Sequence, residues 1–295
     1  GFKIINNRIS SIFGSELILG SFLIKILPLI LWLFFYLKFD LKNRKPFLIC
    51  FFSLYFISIY LSGERTSLAL MLILIFLTII FISQLRKTFL VSFAILTLFI
   101  ILSSSFNIGK SNPFNRIFIK TFNQVTDQLY TEEVKGLSKE ELIESRQNIL
   151  KHIKIFSKNH NGHFILAYDL FSKEPIFGVG PKGFRNYCRS VNYDSEVGMC
   201  STHPHNIFLQ ILSEMGIIGI IFYLYGILFV VIKAWNIIRK NINSLEKNCF
   251  LVVSISLLIN LFPFLPSGNF FNNWISIINY YFLGLYLYSY KRVYK

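Results

Sequence analysis

The sequence predicts an all-α integral membrane protein, and three observations support this fold class. Hydrophobic residues make up 54% of the 295 residues and charged residues only 15%, as in chains that cross a membrane several times. Long apolar runs recur, most of them near the length of about 20 residues that a helix needs to cross a bilayer. The lysines and arginines behind the formal net charge of +15 lie in short clusters between these runs, which argues against nucleic-acid binding.

The apolar runs predict about seven transmembrane helices. Gly20 and Pro28 fall inside the first run, where membrane helices tolerate such residues. An N-terminal transmembrane region over residues 1–104 is thus followed by a large loop over residues 105–204 and a C-terminal transmembrane region over residues 205–295. The predicted spans cover residues 17–36, 47–62, 67–83, 88–104, 207–231, 249–263 and 274–288.

The basic clusters orient these spans across the membrane. If the turn at residues 38–45 is cytoplasmic, alternation also places Arg86, Lys87, the segment 233–247 and the basic C-terminal tail in the cytoplasm. The large loop then lies on the outer side. Because the chain begins without methionine and without a signal peptide, we expect it to be the later portion of a longer protein.

The large loop carries signals for short helices and for one tight turn. Ser138 is followed by two glutamates and an apolar pattern, which predicts a helix over residues 138–153 that carries Arg146. Residues 174–184, EPIFGVGPKGF, hold two prolines and three glycines and predict an irregular turn with exposed backbone. The turn matches no nucleotide-binding pattern, so an ATPase is not expected.

Three residues on the outer side indicate anion handling beside a base. His205 precedes the fifth span, and an imidazole with its ordinary pKa of about 6.5 accepts a proton near neutrality. Arg65, between two spans, and Arg146, on the loop helix, offer forked donors suited to phosphate oxygens. Two simpler roles stay open: His205 could cap the helix, and Arg65 could reach lipid headgroups.

Metal binding and disulfide formation are two further interpretations of the loop. His203, His205 and Cys200 match no common zinc spacing, and no metal or cofactor is expected. Asp194 and Glu196 form an alternating acidic pair that could hold a divalent ion, although solvation of a polar loop is the simpler role. The candidate disulfide, which requires an oxidising compartment, joins Cys188 and Cys200; two free thiols are the alternative.

The motifs in this order resemble the O-antigen ligase and polymerase superfamily. The usual pattern there is an arginine, then a P-x-x-G-x-G-x-x-x-F turn, then H-N-x-x-L with E-x-G-x-x-G. This chain has ESRQNIL around Arg146, the turn over residues 175–184, and HPHNIFLQILSEMGIIG over residues 203–219. NRISSIFGSELILGSFL near the N-terminus and SGERTSLAL around Arg65 also resemble segments of the family. The resemblance covers nearly the whole chain.

The resemblance implies a bacterial inner-membrane enzyme whose large loop lies in the periplasm. Such an enzyme moves a glycan from undecaprenyl pyrophosphate to an acceptor hydroxyl without metal or nucleotide, and an O-antigen ligase uses lipid A-core as the acceptor. The family histidine corresponds to His205, the expected catalytic base, and the two family arginines correspond to Arg65 and Arg146, the expected pyrophosphate ligands. We expect inversion at the anomeric carbon, because one displacement suffices.

Several alternatives stay open at this stage. Candidate substrate-binding residues are His203, Lys182 and Arg185, although His203 could merely favour a turn and the two cations could simply be solvated. An O-antigen or exopolysaccharide polymerase, or a protein O-glycosylating enzyme, would differ from a ligase only in its acceptor. A transporter of lipid-linked glycans would place charges inside the spans, and a membrane scaffold would tolerate replacement of His205.

Overall fold

The structure is a computed structural model whose described part is mainly α-helical. A small hairpin precedes the helices: β1 (Ile4–Ile5) pairs antiparallel with β2 (Arg8–Ile9), and a short 3₁₀ turn follows at Ser11–Phe13. The residues described are 4–5, 8–9, 11–13, 17–105, 112–123, 158–190, 201–240 and 244–294.

Each predicted span corresponds to a helix. A short helical segment, Asn115–Ile119, and two shorter helices lie in the large loop. Within the described residues, the helices at Leu19–Tyr36, Ser83–Ser104 and Ile207–Arg239 are long and apolar enough to cross a membrane. Those at Lys45–Leu61 and Arg65–Phe81 are apolar but shorter, so the count of seven spans stays a prediction. In chain order the helices are α1 (Leu19–Tyr36), α2 (Lys45–Leu61), α3 (Arg65–Phe81), α4 (Ser83–Ser105), α5 (Lys158–Lys173), α6 (Gly183–Ser190), α7 (Ile207–Arg239), α8 (Leu245–Asn260) and α9 (Asn273–Val293).

Several helix ends differ from the predicted span boundaries; α8, for example, begins at Leu245 and α9 continues to Val293. Arg86 and Lys87 do not follow the third span but lie in the first turn of α4, where Arg86 donates to the carbonyls of Ile79 (2.8 Å) and Ile80 (3.2 Å) in the last turn of α3. These bonds satisfy carbonyls that a helix end leaves without partners. The span predicted to end at residue 231 continues through Lys233, whose ammonium group lies over three aromatic rings.

The core forms where the apolar faces of the helices meet. Nearly every residue of α8 is buried, and this helix packs against α1, α3, α7 and α9. α2 and α4 run parallel: Ser92 donates to the Ile49 carbonyl (3.2 Å) near their first turns, and the hydroxyls of Tyr60 and Ser103 lie 3.0 Å apart near their last turns.

Helix ends that meet define two ends of the bundle. At one end the last turns of α1 and α9 meet the first turn of α8, and the Trp32 indole donates to Ser289 (3.1 Å). Because α1 and α8 pack along each other in opposite directions, the first turn of α1 and the last turn of α8 share the other end. Glu64, before α3, meets α1 there, and Asn206, before α7, donates to the Pro263 carbonyl after α8 (2.8 Å).

We call the end that holds the last turns of α1 and α9 the basic end, and the opposite end the histidine end. The histidine end carries both Arg65 and His205, at the N-termini of α3 and α7. This arrangement agrees with the alternation predicted from the basic clusters, while the side of the membrane that each end faces stays a prediction. The basic end carries Lys38, Lys45, Arg86, Lys87, Lys240, Lys247 and Arg292.

Candidate active site

Four histidines converge at the histidine end, with His205 at their centre. The His205 ring lies 4.1 Å from that of His203, 5.3 Å from that of His163 and 5.5 Å from that of His160, measured between ring centroids. His160 and His163 stand one helical turn apart on α5, so they present their rings from the same face. The loop before α7 supplies the other two.

The backbone of His205 is held in an unusual conformation. Its φ angle of 55° lies in the left-handed region, which costs a non-glycine residue energy and requires surrounding contacts to maintain it. The His205 carbonyl accepts a hydrogen bond from the Ser267 amide (2.8 Å), and the next residue, Asn206, caps α7 by accepting from the Leu209 amide (3.0 Å). The ring nitrogen Nε2 lies 2.9 Å from the Ser201 hydroxyl. Backbone and ring are therefore both fixed.

The hydrogen bonds of His203 define its tautomer. Its Nε2 lies 3.3 Å from the Ser267 carbonyl, which can only accept, so Nε2 carries the proton. Its Nδ1 lies 3.0 Å from the Thr202 hydroxyl and accepts from it when the ring is neutral. Ser267 thus contacts both histidines, through its amide and its carbonyl.

Burial makes all four imidazoles weak bases. The pKa of His205 is lowered to about 3, first by burial and then by the nearby rings of His203, His163 and His160. Burial likewise lowers the pKa of His203 to about 4 and also lowers the pKa values of His160 and His163. The rings are therefore neutral at neutral pH. The ordinary pKa assumed for His205 in the sequence analysis is therefore too high.

The turn at residues 174–184, which we call the glycine turn, is hydrogen-bonded to α7 at a break in that helix. At Gly216 the backbone leaves the helical conformation (φ 62°, ψ −160°), and the backbone groups around it pair with the turn. The amides of Val179 and Gly180 donate to the carbonyls of Ser213 and Glu214, both at 3.0 Å. A Cβ at Gly216 would lie 2.3 Å from the Ile176 carbonyl oxygen, so only glycine fits.

A buried polar network runs from this turn to the segment behind the histidines. Glu214, only 1% exposed, accepts hydrogen bonds from the Phe184 amide (3.2 Å) at the start of α6 and from the Gln210 side chain (3.1 Å). Gln210 also donates to Asn269 (2.8 Å) and accepts from the Phe270 amide (2.9 Å). This places the network two residues from Ser267. It therefore connects α6, α7 and the segment before α9.

α6 brings a cation to the histidines. The charge of Arg185 lowers the pKa of His203, after burial and the charge of His163, so this guanidinium lies near the cluster. Its Nε is buried without a hydrogen-bond partner in the described part of the chain. Lys182, which has a φ of 65°, is exposed on the turn just before α6.

A second group of charged residues surrounds Arg65. Its guanidinium donates twice to the Arg116 carbonyl (3.2 and 3.1 Å), and Arg116 in turn donates to the Gly63 carbonyl (3.0 Å). Burial and then the charges of Arg8 and Arg65 lower the pKa of Arg116, so the three arginines lie close together. Glu64 lies 3.6 Å from Arg8 and accepts from the Gly20 and Ser21 amides. In the described part of the chain, the Glu64 carboxylate and three guanidinium groups thus lie in one cluster.

The remaining predicted residues are only partly covered. Arg146, Asp194, Glu196 and Cys200 lie outside the described residues. Cys188 is buried and disulfide-bonded, while its predicted pairing with Cys200 stays a prediction. In the described ranges no group of three or more His, Cys, Asp or Glu side chains is arranged to hold a metal ion.

Residues 163–224 match a family model described as O-antigen ligase. This part of the chain is therefore similar to the O-antigen ligase family. The matched range includes the glycine turn, α6, the loop at residues 201–206 that carries His203 and His205, and the break in α7. No curated protein and no solved structure gave a significant match. That family is associated with glycosyl transfer, of the ligase or polymerase type, in polysaccharide biosynthesis. Its general partners are a lipid-linked glycan and an acceptor.

The sequence analysis missed several residues at the histidine end. His160 and His163 recur at a helical spacing before an apolar stretch, a signal that could have identified α5 and its histidine face. Arg8 and Arg116 carry no comparable signal, because only the packing of the N-terminal hairpin and the segment after α4 brings them to Arg65.

Proposed function

We propose that the protein transfers a glycan from undecaprenyl pyrophosphate to an acceptor hydroxyl, most specifically as an O-antigen ligase acting on lipid A-core. The observation that carries this proposal is the fixed His205 at the N-terminus of an apolar helix, at the same bundle end as the Arg65 cluster. A base and a group of cations at one end of a membrane bundle suit a donor whose lipid lies in the bilayer and whose pyrophosphate lies at its surface. We place that end in the periplasm of the bacterial inner membrane.

His205 acts as the general base in this proposal. The acceptor oxygen attacks the anomeric carbon as its proton passes to the imidazole, and the bond from that carbon to the pyrophosphate oxygen breaks with its electron pair remaining on the phosphate. One displacement inverts the anomeric carbon, and no metal takes part. Because a nearby anion favours the protonated imidazole, the bound pyrophosphate raises the low pKa of His205 towards neutrality. The donor thus activates its own base.

The cations bind the charged parts of the substrates. Arg65, together with Arg146, neutralises the departing pyrophosphate, and a guanidinium fork suits its oxygens. Arg185 and Lys182 reach the second substrate from α6 and the glycine turn. His203 supports His205 by fixing Ser267, so it orients the base in addition to favouring a turn.

The test is surface-glycan analysis of knockout cells that express either the full-length parent or its His205→Ala variant. Equal membrane insertion of the two proteins is the control. We expect the variant to lose polymer attachment and to accumulate lipid-linked polymer. Attachment of single repeats would identify the polymerase instead, and normal glycan with the variant would contradict the role of His205.

A further inference from the structure

Two adjoining cavities open at the basic end, away from the histidines. The first, about 280 Å³, lies among the last turns of α1 and α9 and the first turn of α8. The second, about 370 Å³, lies between the end of α7 and the same first turn of α8. Both are lined by Glu246 and Arg292, so they adjoin at the helix ends, and we call the two together the recess.

Within the described residues, the lining of the recess carries more positive than negative charge. Its lining includes Lys38, Lys240, Lys247 and Arg292 but only one carboxylate, that of Glu246. Among the described residues, neither of the two ion pairs involves any of these cations. Arg292 donates to the Tyr288 hydroxyl (2.8 Å), and Lys240 lies over a tyrosine ring, so neither of these contacts supplies negative charge.

Aromatic side chains form the apolar wall of the recess. Trp32 stacks on Tyr36 with ring centroids 4.6 Å apart, and Tyr288 meets both rings edge-on at 6.3 and 6.2 Å. Tyr36 and Tyr288 are 45% and 41% exposed, at the point where the apolar helices end. Aromatic residues in this position lie at the headgroup level of a bilayer, and basic pockets between helices there bind anionic headgroups.

We propose that this recess binds the phosphate group of an anionic membrane lipid. The cations meet the phosphodiester, while the exposed Tyr36 and Tyr288, backed by the buried Trp32, contact the upper part of the acyl chains. A soluble phosphate would meet the same cations but would leave the aromatic wall without a partner. The lipid is therefore the occupant that uses both halves of the lining.

The test measures, by native mass spectrometry, how well the purified full chain retains dioleoyl phosphatidylglycerol. Dioleoyl phosphatidylcholine, which is zwitterionic and has no net charge, is the comparison. The variant Lys240→Gln/Arg292→Gln removes two exposed cations of the recess. The matched control Lys87→Gln/Lys291→Gln removes two cations of the basic end that do not line it. A third arm adds glycerol phosphate as a soluble competitor.

We expect the recess variant to lose affinity for phosphatidylglycerol by about fivefold for each cation removed, and the control and the phosphatidylcholine arm to change little. Equal losses in both double variants would overturn the proposal, because general surface charge would then explain the binding. Displacement of the lipid by glycerol phosphate would also overturn it, in favour of a soluble phosphate ligand. The outcome does not depend on glycan transfer by His205.

Discussion

Replacement of Glu214 by alanine should loosen the glycine turn and α6 without unfolding the bundle. The change removes the acceptor of two buried donors, the Phe184 amide and the Gln210 side chain. A buried donor left without a partner costs about 1–3 kcal/mol, so the pair costs about 2–6 kcal/mol. A cost of about 3 kcal/mol raises the equilibrium for local opening about a hundredfold, because 1.4 kcal/mol corresponds to a factor of ten.

Hydrogen–deuterium exchange of the protein in lipid nanodiscs measures this opening. Peptides covering residues 176–190 should exchange about a hundredfold faster in Glu214→Ala, and less so in Glu214→Gln, which keeps one acceptor. Glu174→Gln is the matched control, because Glu174 is exposed on the same segment. Unchanged exchange in Glu214→Ala would refute the view that this carboxylate holds the turn and α6 in place.

Two further predictions follow from the same end of the molecule. Gly216→Ala should lower the thermal unfolding midpoint of the detergent-solubilised protein, because the new Cβ would meet the Ile176 carbonyl oxygen at 2.3 Å in a backbone with positive φ. Gly226→Ala, which has open space around it, is the control and should leave the midpoint unchanged. Equal unfolding midpoints for the two variants would contradict the role of the break. The pH profile of kcat/KM reports the ionisation of the free enzyme. Because the pKa of His205 is lowered to about 3, this base stays unprotonated through mildly acidic pH. The acid limb of the profile should therefore lie well below pH 6.5. An acid limb at pH 6.5 would argue against His205 as the base.

The sequence predicted the helices well because a membrane imposes a simple pattern on them. Long apolar runs bounded by basic clusters gave each helix of the bundle. The boundaries at Arg86 and Lys233 differ because both side chains find partners that let a charge lie inside a helix. A pattern of apolarity does not contain those partners.

The candidate site was predicted only where one short motif holds it. His205 follows from its position at a helix start, and the irregular turn follows from its glycines and prolines. The break at Gly216 and the network of Glu214, Gln210 and Asn269 depend on hydrogen bonds between segments about 30 to 60 residues apart. The low pKa of His205 likewise depends on burial among other histidines, which spacing alone does not reveal.

The central claim is that His205 accepts the proton of the acceptor during glycan transfer. It is tested most directly by single-turnover transfer from a labelled undecaprenyl-pyrophosphate-linked glycan to lipid A-core, catalysed by the purified full-length protein or its His205→Ala variant. We predict a rate lower by about 10² to 10⁴ in the variant, with donor binding retained, since this is the usual contribution of a general base. A rate within twofold of the parent would contradict the claim.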